Sequence, residues 1–214
     1  MSALERVGAI IEEASKLRFP NSFNPYADQC AAHDRPGAPN IRRANLAAIL
    51  SAAAEEPVDE LWLALEPTWK GARRTGLAMT DERYLEEHAA RWGAVGVRRA
   101  TDTLRSPKEH TACYVWRALA NIPERVFLWN AVPVHTHSPG DYQRNRRHTA
   151  AERQACLPLL RKMIAFLQPK LCIAIGDDAG EAFEAADRTC KVVSHPANGK
   201  HLQFAEQMQA RHKP

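Results

Sequence analysis

The chain has 214 residues, 45% of them hydrophobic, with 29 Lys and Arg against 25 Asp and Glu. That length suits a single domain over residues 1–214 with a sizeable core, and no apolar run approaches the about 20 residues of a membrane span. A net charge of +4 admits a polyanionic partner without demanding one.

The opening stretch MSALERVGAIIEEASKLRF mixes acidic residues into an amphipathic pattern. A secretory signal instead pairs a basic start with an unbroken apolar block. The five cysteines (Cys30, Cys113, Cys156, Cys172 and Cys190) are scattered, and no CxxC pair stands among them. Both features predict a cytoplasmic protein with reduced thiols, and a monomer is expected. Residues 20–39 hold Pro20, Pro25, Pro36 and Pro39, which predicts an ordered but irregular crossing segment.

A β/α rhythm follows. Helical patterns fall at 40–55, 81–92, 109–120, 150–167 and 178–187. Strand-like runs are LWLALE (61–66), VFLWNA (126–131), LCIAIG (171–176) and KVVSH (191–195). Thr149 and Glu152 form a capping box at the start of the fourth helix. The strands are near-continuous apolar runs, as expected of parallel strands covered on both faces. The predicted fold class is α/β, a three-layer α/β/α domain with a central, mainly parallel four-stranded sheet.

Working groups in such sheets gather at the carboxyl ends of the strands. Here those ends offer Glu66, Asn130, Gly176-Asp177-Asp178 and His195. Two basic clusters, KGARR (70–74) and RNRRH (144–148), each follow a strand-like run. A solvated face is the ordinary explanation of one such cluster; two in equivalent places suggest a phosphate-bearing partner. The HTH at 135–137 has imidazoles at loop spacing, but no matching carboxylate or cysteine cluster lies near it, so turn-stabilising histidines are expected and no metal. IGDDAGEAF has the wrong spacing for a phosphate-binding glycine loop, and no serine nucleophile elbow is present.

Taken in order, these stretches resemble the uracil-DNA glycosylase superfamily, in its bacterial branch without an iron–sulfur cluster, over about residues 23–208. WLALEPTWKGARRTGLAMTDE (62–82) resembles the first motif through Pro67, Gly71, Arg73, Gly76 and Asp81-Glu82. FLWN followed by AVPVH resembles the strand with the base-reading Asn, HPANGK (195–200) the His-Pro loop, and FNPY (23–26) a segment upstream of the first motif. There are departures. Ala64 stands where Gly is usual, Glu66 matches the acid of one branch while Leu65 occupies the acid position of another, Met79 replaces a stacking aromatic, and Ala197 replaces a Ser.

The resemblance implies a hydrolase of DNA base-excision repair that flips uracil out of DNA and cleaves its N-glycosidic bond without a cofactor. It implies Glu66 and His195 as catalytic residues, and Leu65, Thr68, Met79 and Asn130 around the uracil. DNA contacts are expected at Lys70, Arg73, Arg74, Arg144, Arg146, Arg147, Asn198 and Lys200. Two other functions stay open: a lesion-binding protein of the same fold with little turnover, and a metal-dependent hydrolase built on the HTH pair.

Overall fold

The computed structural model of the chain describes residues 1–197 and 199–212. In chain order the elements are α1 (Ala3–Lys16), β1 (Ser22–Phe23), α2 (Ala38–Glu55), β2 (Glu60–Ala64), α3 (Ala72–Thr75), α4 (Leu85–Trp92), α5 (His110–Leu119) and β3 (Val126–Asn130). They continue with β4 (His135–Ser138), β5 (Asp141–Asn145), α6 (Ala150–Leu167), β6 (Leu171–Ile175), α7 (Asp177–Ala185), β7 (Lys191–Val193) and α8 (His201–Arg211).

The central sheet runs β3-β2-β6-β7 and every pairing in it is parallel, so the predicted three-layer class holds. Side chains alternate across it. Leu61, Leu63, Phe127, Trp129, Cys172 and Ala174 pack on one face against α1, α2, α4, α6 and α7. Trp62, Ala64, Val126, Leu128, Ile173, Ile175 and Val193 pack on the other against α5 and α8. Strands buried on both faces have no polar side to alternate with, hence their continuous apolar sequence. The strands are shorter than their apolar runs at the carboxyl ends. Leu65, Glu66, Gly176 and His195 therefore stand in turns.

Helix boundaries differ mainly at 81–84, which form a turn and not the first turn of α4. The Asp81 carboxylate accepts from the Arg83 backbone N–H at 2.9 Å and from the Glu109 N–H at 2.9 Å, so the chain there is held by side-chain bonds instead of helical ones. Besides the four-residue α3, two features were not expected. One is a small antiparallel sheet of β1, β4 and β5, which puts the HTH histidines on a strand instead of a turn. The other is α8, anchored by Phe204 and Met208 on a single buried stripe.

The proline-rich segment is ordered around one cation. Arg42 is fully buried and donates to the carbonyls of Pro25 (2.5 Å) and Asp28 (2.6 Å) and to both oxygens of Asp34 (3.0 Å each). Five donors in a fixed fork can satisfy carbonyls that no regular element would pair. Gly76 lies against this arginine with φ +74°, and a Cβ built on it would come 2.7 Å from Arg42 Cβ and 2.8 Å from Arg42 O. Gly76→Ala should therefore lower stability by about 3 kcal/mol, a fall in Tm of roughly 6–12 °C. Gly37→Ala is the control. Gly37 has the same φ of +74° with open space around it, and should lose only about 1 kcal/mol. Equal melting temperatures for the two variants would contradict the packing of Gly76 on Arg42.

Two buried rings add a pH dependence. His88 bonds Thr80 Oγ1 at 2.9 Å beneath Trp116, and burial pulls it down to about 3, with the Arg91 charge adding to the shift. Burial likewise takes His135 to about 3, opposed by its bond to Asn145. Free histidine titrates near 6.5, so on acidification the unfolded chain takes up two protons that the folded chain refuses. Stability is full above about pH 6.5 and is lost as pH falls toward the folded values, by up to about 1.4 kcal/mol per pH unit for each ring. Thermal melts should show Tm dropping between pH 6.5 and 4.5, and less steeply in His88→Phe. A flat Tm across that interval would show that neither ring is sequestered.

Candidate active site

The carboxyl ends of β2, β3, β6 and β7 border a cleft of about 840 Å³. Its floor is apolar, with Ala64, Ile175 and Met79 on the α5/α8 face of the sheet. Strand alternation decides which polar groups join them. Asn130 shares a face with Val126 and Leu128, two and four residues earlier, and so enters the cleft, whereas Trp129 packs in the opposite layer. By the same parity Glu66 follows Ala64 into the cleft while Leu65 packs partly against the core of the other face, leaving an edge at the cleft wall. The register Ala64↔Asn130 puts the first-motif turn directly beside the amide.

Asn130 is 3% exposed as a residue, and its side-chain amide makes no hydrogen bond among the described residues. The amide borders the cleft, where a ligand can complete its hydrogen bonds.

His195 sits in the turn after β7. Its Nδ1 accepts from the Ala197 N–H at 3.1 Å, which leaves the proton on Nε2. Burial lowers its pKa, so the ring is a neutral N–H donor at the cleft wall. Two features seat it. Gln207 of α8 accepts from the Ser194 N–H at 2.7 Å, and Gly176, with φ +92°, lies so close that a Cβ there would stand 3.3 Å from His195 Cβ.

Glu66 is held by His148: its Oε2 accepts from the His148 Nδ1 at 2.6 Å and from the backbone N–H of the same residue at 3.2 Å. Glu109 is a second carboxylate in the cleft wall. It caps α5 by accepting from Thr111 N–H (3.1 Å) and Ala112 N–H (2.5 Å), and burial raises its pKa against the pull of those two donors. It fills the space beside Gly71, where a Cβ would meet its Cγ at 3.3 Å. Thr68 also lines the cleft.

The predicted DNA-contacting cations divide. Arg73 and Arg74 are buried, which corrects the expectation that they meet phosphate. Arg73 lies between the rings of Phe23 (4.0 Å) and Tyr142 (4.7 Å) and bonds His135 Nδ1 at 3.2 Å. Arg74 pairs with buried Glu82 at 3.0 Å and reaches Thr101 at 3.0 Å. Arg146 is engaged within the protein as well. It grips both oxygens of Glu152 (2.5 and 2.9 Å) and the Pro20 carbonyl (2.8 Å), so it fastens the start of α6. Arg144 is exposed, Arg147 is 70% exposed beside Asp178, and Lys200 is exposed at the cleft wall. Lys70 is half-buried over Trp69. Asn198 lies outside the described residues.

The HTH histidines are engaged within the protein. His135 donates from Nε2 to Asn145 at 2.8 Å and His137 bonds the Ser138 carbonyl at 2.9 Å. Among the described residues no group of three His, Cys, Asp or Glu is arranged to hold a metal ion, and no helix is long and apolar enough to cross a membrane. Sequence reasoning missed His148, Glu109 and Gln207. His148 was legible only as one more base in RNRRH, since its partner Glu66 is 82 residues away. The signal for Gln207 was present in the Phe204/Met208 spacing of its helix.

A family model described as the uracil DNA glycosylase superfamily matches residues 67–209. The match begins one residue after Glu66 and contains Asn130 and His195. No curated protein sequence matches the chain significantly. Among solved structures, the crystal structure of wild-type SMUG2 from Pedobacter heparinus is similar in fold, with a TM-score of 0.61 at 11% identity over 99% of this chain and 97% of that one. At that identity the likeness speaks for the fold alone. The family match covers well over half of the chain and most of the residues that line the cleft, and on that ground the chain belongs to the uracil DNA glycosylase superfamily, whose members act on DNA as glycosylase-type repair hydrolases.

Proposed function

We propose that the protein excises uracil from DNA, flipping the nucleotide out of the helix and hydrolysing its N-glycosidic bond to leave an abasic site. The observation that carries this is the meeting of Glu66, Asn130 and His195, from three separate strand ends, in one cleft. Uracil presents acceptor, donor and acceptor along its pairing edge. The free amide of Asn130 suits it, donating to O4 and accepting from N3–H. Cytosine, with an amino group and a bare N3, would oppose donor to donor.

As the C1′–N1 bond breaks, its electron pair leaves with the base and the sugar becomes oxocarbenium-like. The neutral Nε2–H of His195 stabilises the charge growing on O2, a contribution of about 3 kcal/mol by comparison with a single oxyanion donor. Glu66 faces the cationic sugar and takes the proton from the water whose oxygen bonds C1′. Side chains and water are the only participants in these steps. Met79 and Ile175 supply an apolar wall where relatives stack an aromatic. We read the protein as working in this way as a cytoplasmic monomer.

On the rim, Arg144, Arg147, Lys70 and Lys200 are the cations for phosphate. The pair between Arg147 and Asp178 is exposed and worth only about 0–1 kcal/mol, so a phosphate can displace it.

The reaction is tested with a uracil-containing oligonucleotide under single-turnover conditions, reading abasic sites by alkaline cleavage. Glu66→Gln should lower the rate by about 100-fold or more with DNA affinity unharmed. Asn130→Asp should weaken uracil excision, since an acceptor replaces the donor to O4. No excision by the parent protein would leave a lesion-binding protein instead, and full activity in Asn130→Asp would refute the base-reading role. A separate measurement addresses the rim. Reversing Arg144 and Arg147 to Glu should weaken binding to all sequences alike and reduce the salt slope by roughly 1 per lost contact. Arg146→Ala should leave the slope alone and lower the melting temperature. An unchanged slope in the double reversal would move DNA to another face.

A further inference from the structure

A glutamate on a turn has freely rotating torsions, and its charge is useful only if one oxygen is aimed at the reacting carbon. The chain supplies that aim from a distant segment. Both donors of His148, ring Nδ1 at 2.6 Å and backbone N–H at 3.2 Å, meet the same oxygen, Oε2. The other oxygen, Oε1, has no partner among the described residues, and the side chain remains 20% exposed where it lines the cleft.

His148 is itself immobilised. Its side chain is 3% exposed, and it immediately precedes Thr149, the N-cap of α6. Glu152, one turn into that helix, accepts from the Thr149 N–H at 2.6 Å and from both terminal nitrogens of Arg146. Residues on either side of His148 are thus fastened to one carboxylate, and the Thr136 hydroxyl bonds the Arg146 carbonyl at 2.6 Å behind them. The imidazole arrives at Glu66 with its position already decided by a helix start and a strand.

We propose that His148 is the positioning residue for Glu66: by donating from Nδ1–H and from its backbone to Oε2, it holds the carboxylate in the orientation that presents Oε1 to the flipped sugar and its water. The proposal rests on the reading of Glu66 as the catalytic carboxylate. His148 acts through Glu66 and not on the substrate, because its Nδ1 is engaged and its ring does not line the cleft. The histidine that ends RNRRH is therefore part of the acid's mounting and not of the phosphate grip.

The test uses single-turnover excision together with affinity for an abasic duplex. His148→Ala should lower the excision rate about 10–100-fold, the scale of a misplaced catalytic group, at unchanged affinity. His148→Asn places an amide nitrogen near the position of Nδ1 and should recover to within about fivefold of the parent. His148→Gln places it near Nε2 and should not recover. In a Glu66→Gln background the further loss from His148→Ala should shrink to about twofold or less, the coupling expected of residues acting as a unit. A rate within twofold of the parent for His148→Ala, equal rates for the Asn and Gln variants, or an undiminished loss in the Glu66→Gln background would each overturn the proposal. Should His148→Ala fail to fold, the comparison of Asn with Gln decides alone. The contact also has a readout independent of activity: the His148 Nδ1–H proton resonance in the parent should lie downfield and move upfield in Glu66→Gln. A parent without excision but with that resonance shift overturns the proposed reaction and leaves the clamp standing; a parent with excision but no shift does the reverse.

Discussion

The register between β2 and its two parallel neighbours is the constraint on which the site depends. Trp62 stands opposite Leu128 and Ile173, and Ala64 opposite Asn130. Side chains alternate with a period of two, so a slip of one residue would turn Trp129 into the cleft and Asn130 into the core. The cost of burying an indole-sized misfit on one side and an unpaired amide on the other makes that register unambiguous. Six apolar side chains from these strands on each face hold it from both sides, and the polar groups at the strand ends inherit its precision.

A second pattern is the use of arginine inside the molecule. Arg42, Arg73, Arg74 and Arg146 each organise a segment that lacks regular structure: the proline-rich crossing, the junction of α3 with the small sheet, the meeting of the Glu82 turn with residues 101–103, and the entry to α6. A buried ion pair is a poor source of net stability, but a planar fork with five donors can collect carbonyls and carboxylates from several directions at once. The consequence for function is a sorting of charge. Arg42, Arg74 and Arg146 are engaged by protein acceptors and Arg73 by His135 and two rings, while Arg144, Arg147 and Lys200 remain exposed and available to a polyanion.

The cleft works with neutral donors and one aimed carboxylate. His195 is deprived of its second proton by burial and by the Ala197 N–H on Nδ1; in the proposed reaction it would support developing negative charge without bringing a full positive one near the sugar. Glu109 lies in the same wall, but both of its oxygens are committed to the α5 N-terminus. Two carboxylates in one cleft thus have distinct surroundings, one closed by backbone donors and one held by a single edge.

Much of this was legible in the sequence. Continuous apolar runs separated by helical patterns determined a parallel sheet with two covered faces, and the polar residue at the end of each run marked Glu66, Asn130 and His195, because a polar group terminating a buried strand has few reasons to be there. The Thr149/Glu152 box marked the start of α6 to the residue. What only the tertiary structure decided were pairings across long separations: Arg73 with His135, Arg74 with Thr101, and His148 with Glu66. A basic residue looks the same in a sequence whether it meets phosphate or a buried acceptor. Its role is set by the desolvation it undergoes and by the acceptor that folding brings within about 3 Å, and neither is encoded in its neighbours along the chain.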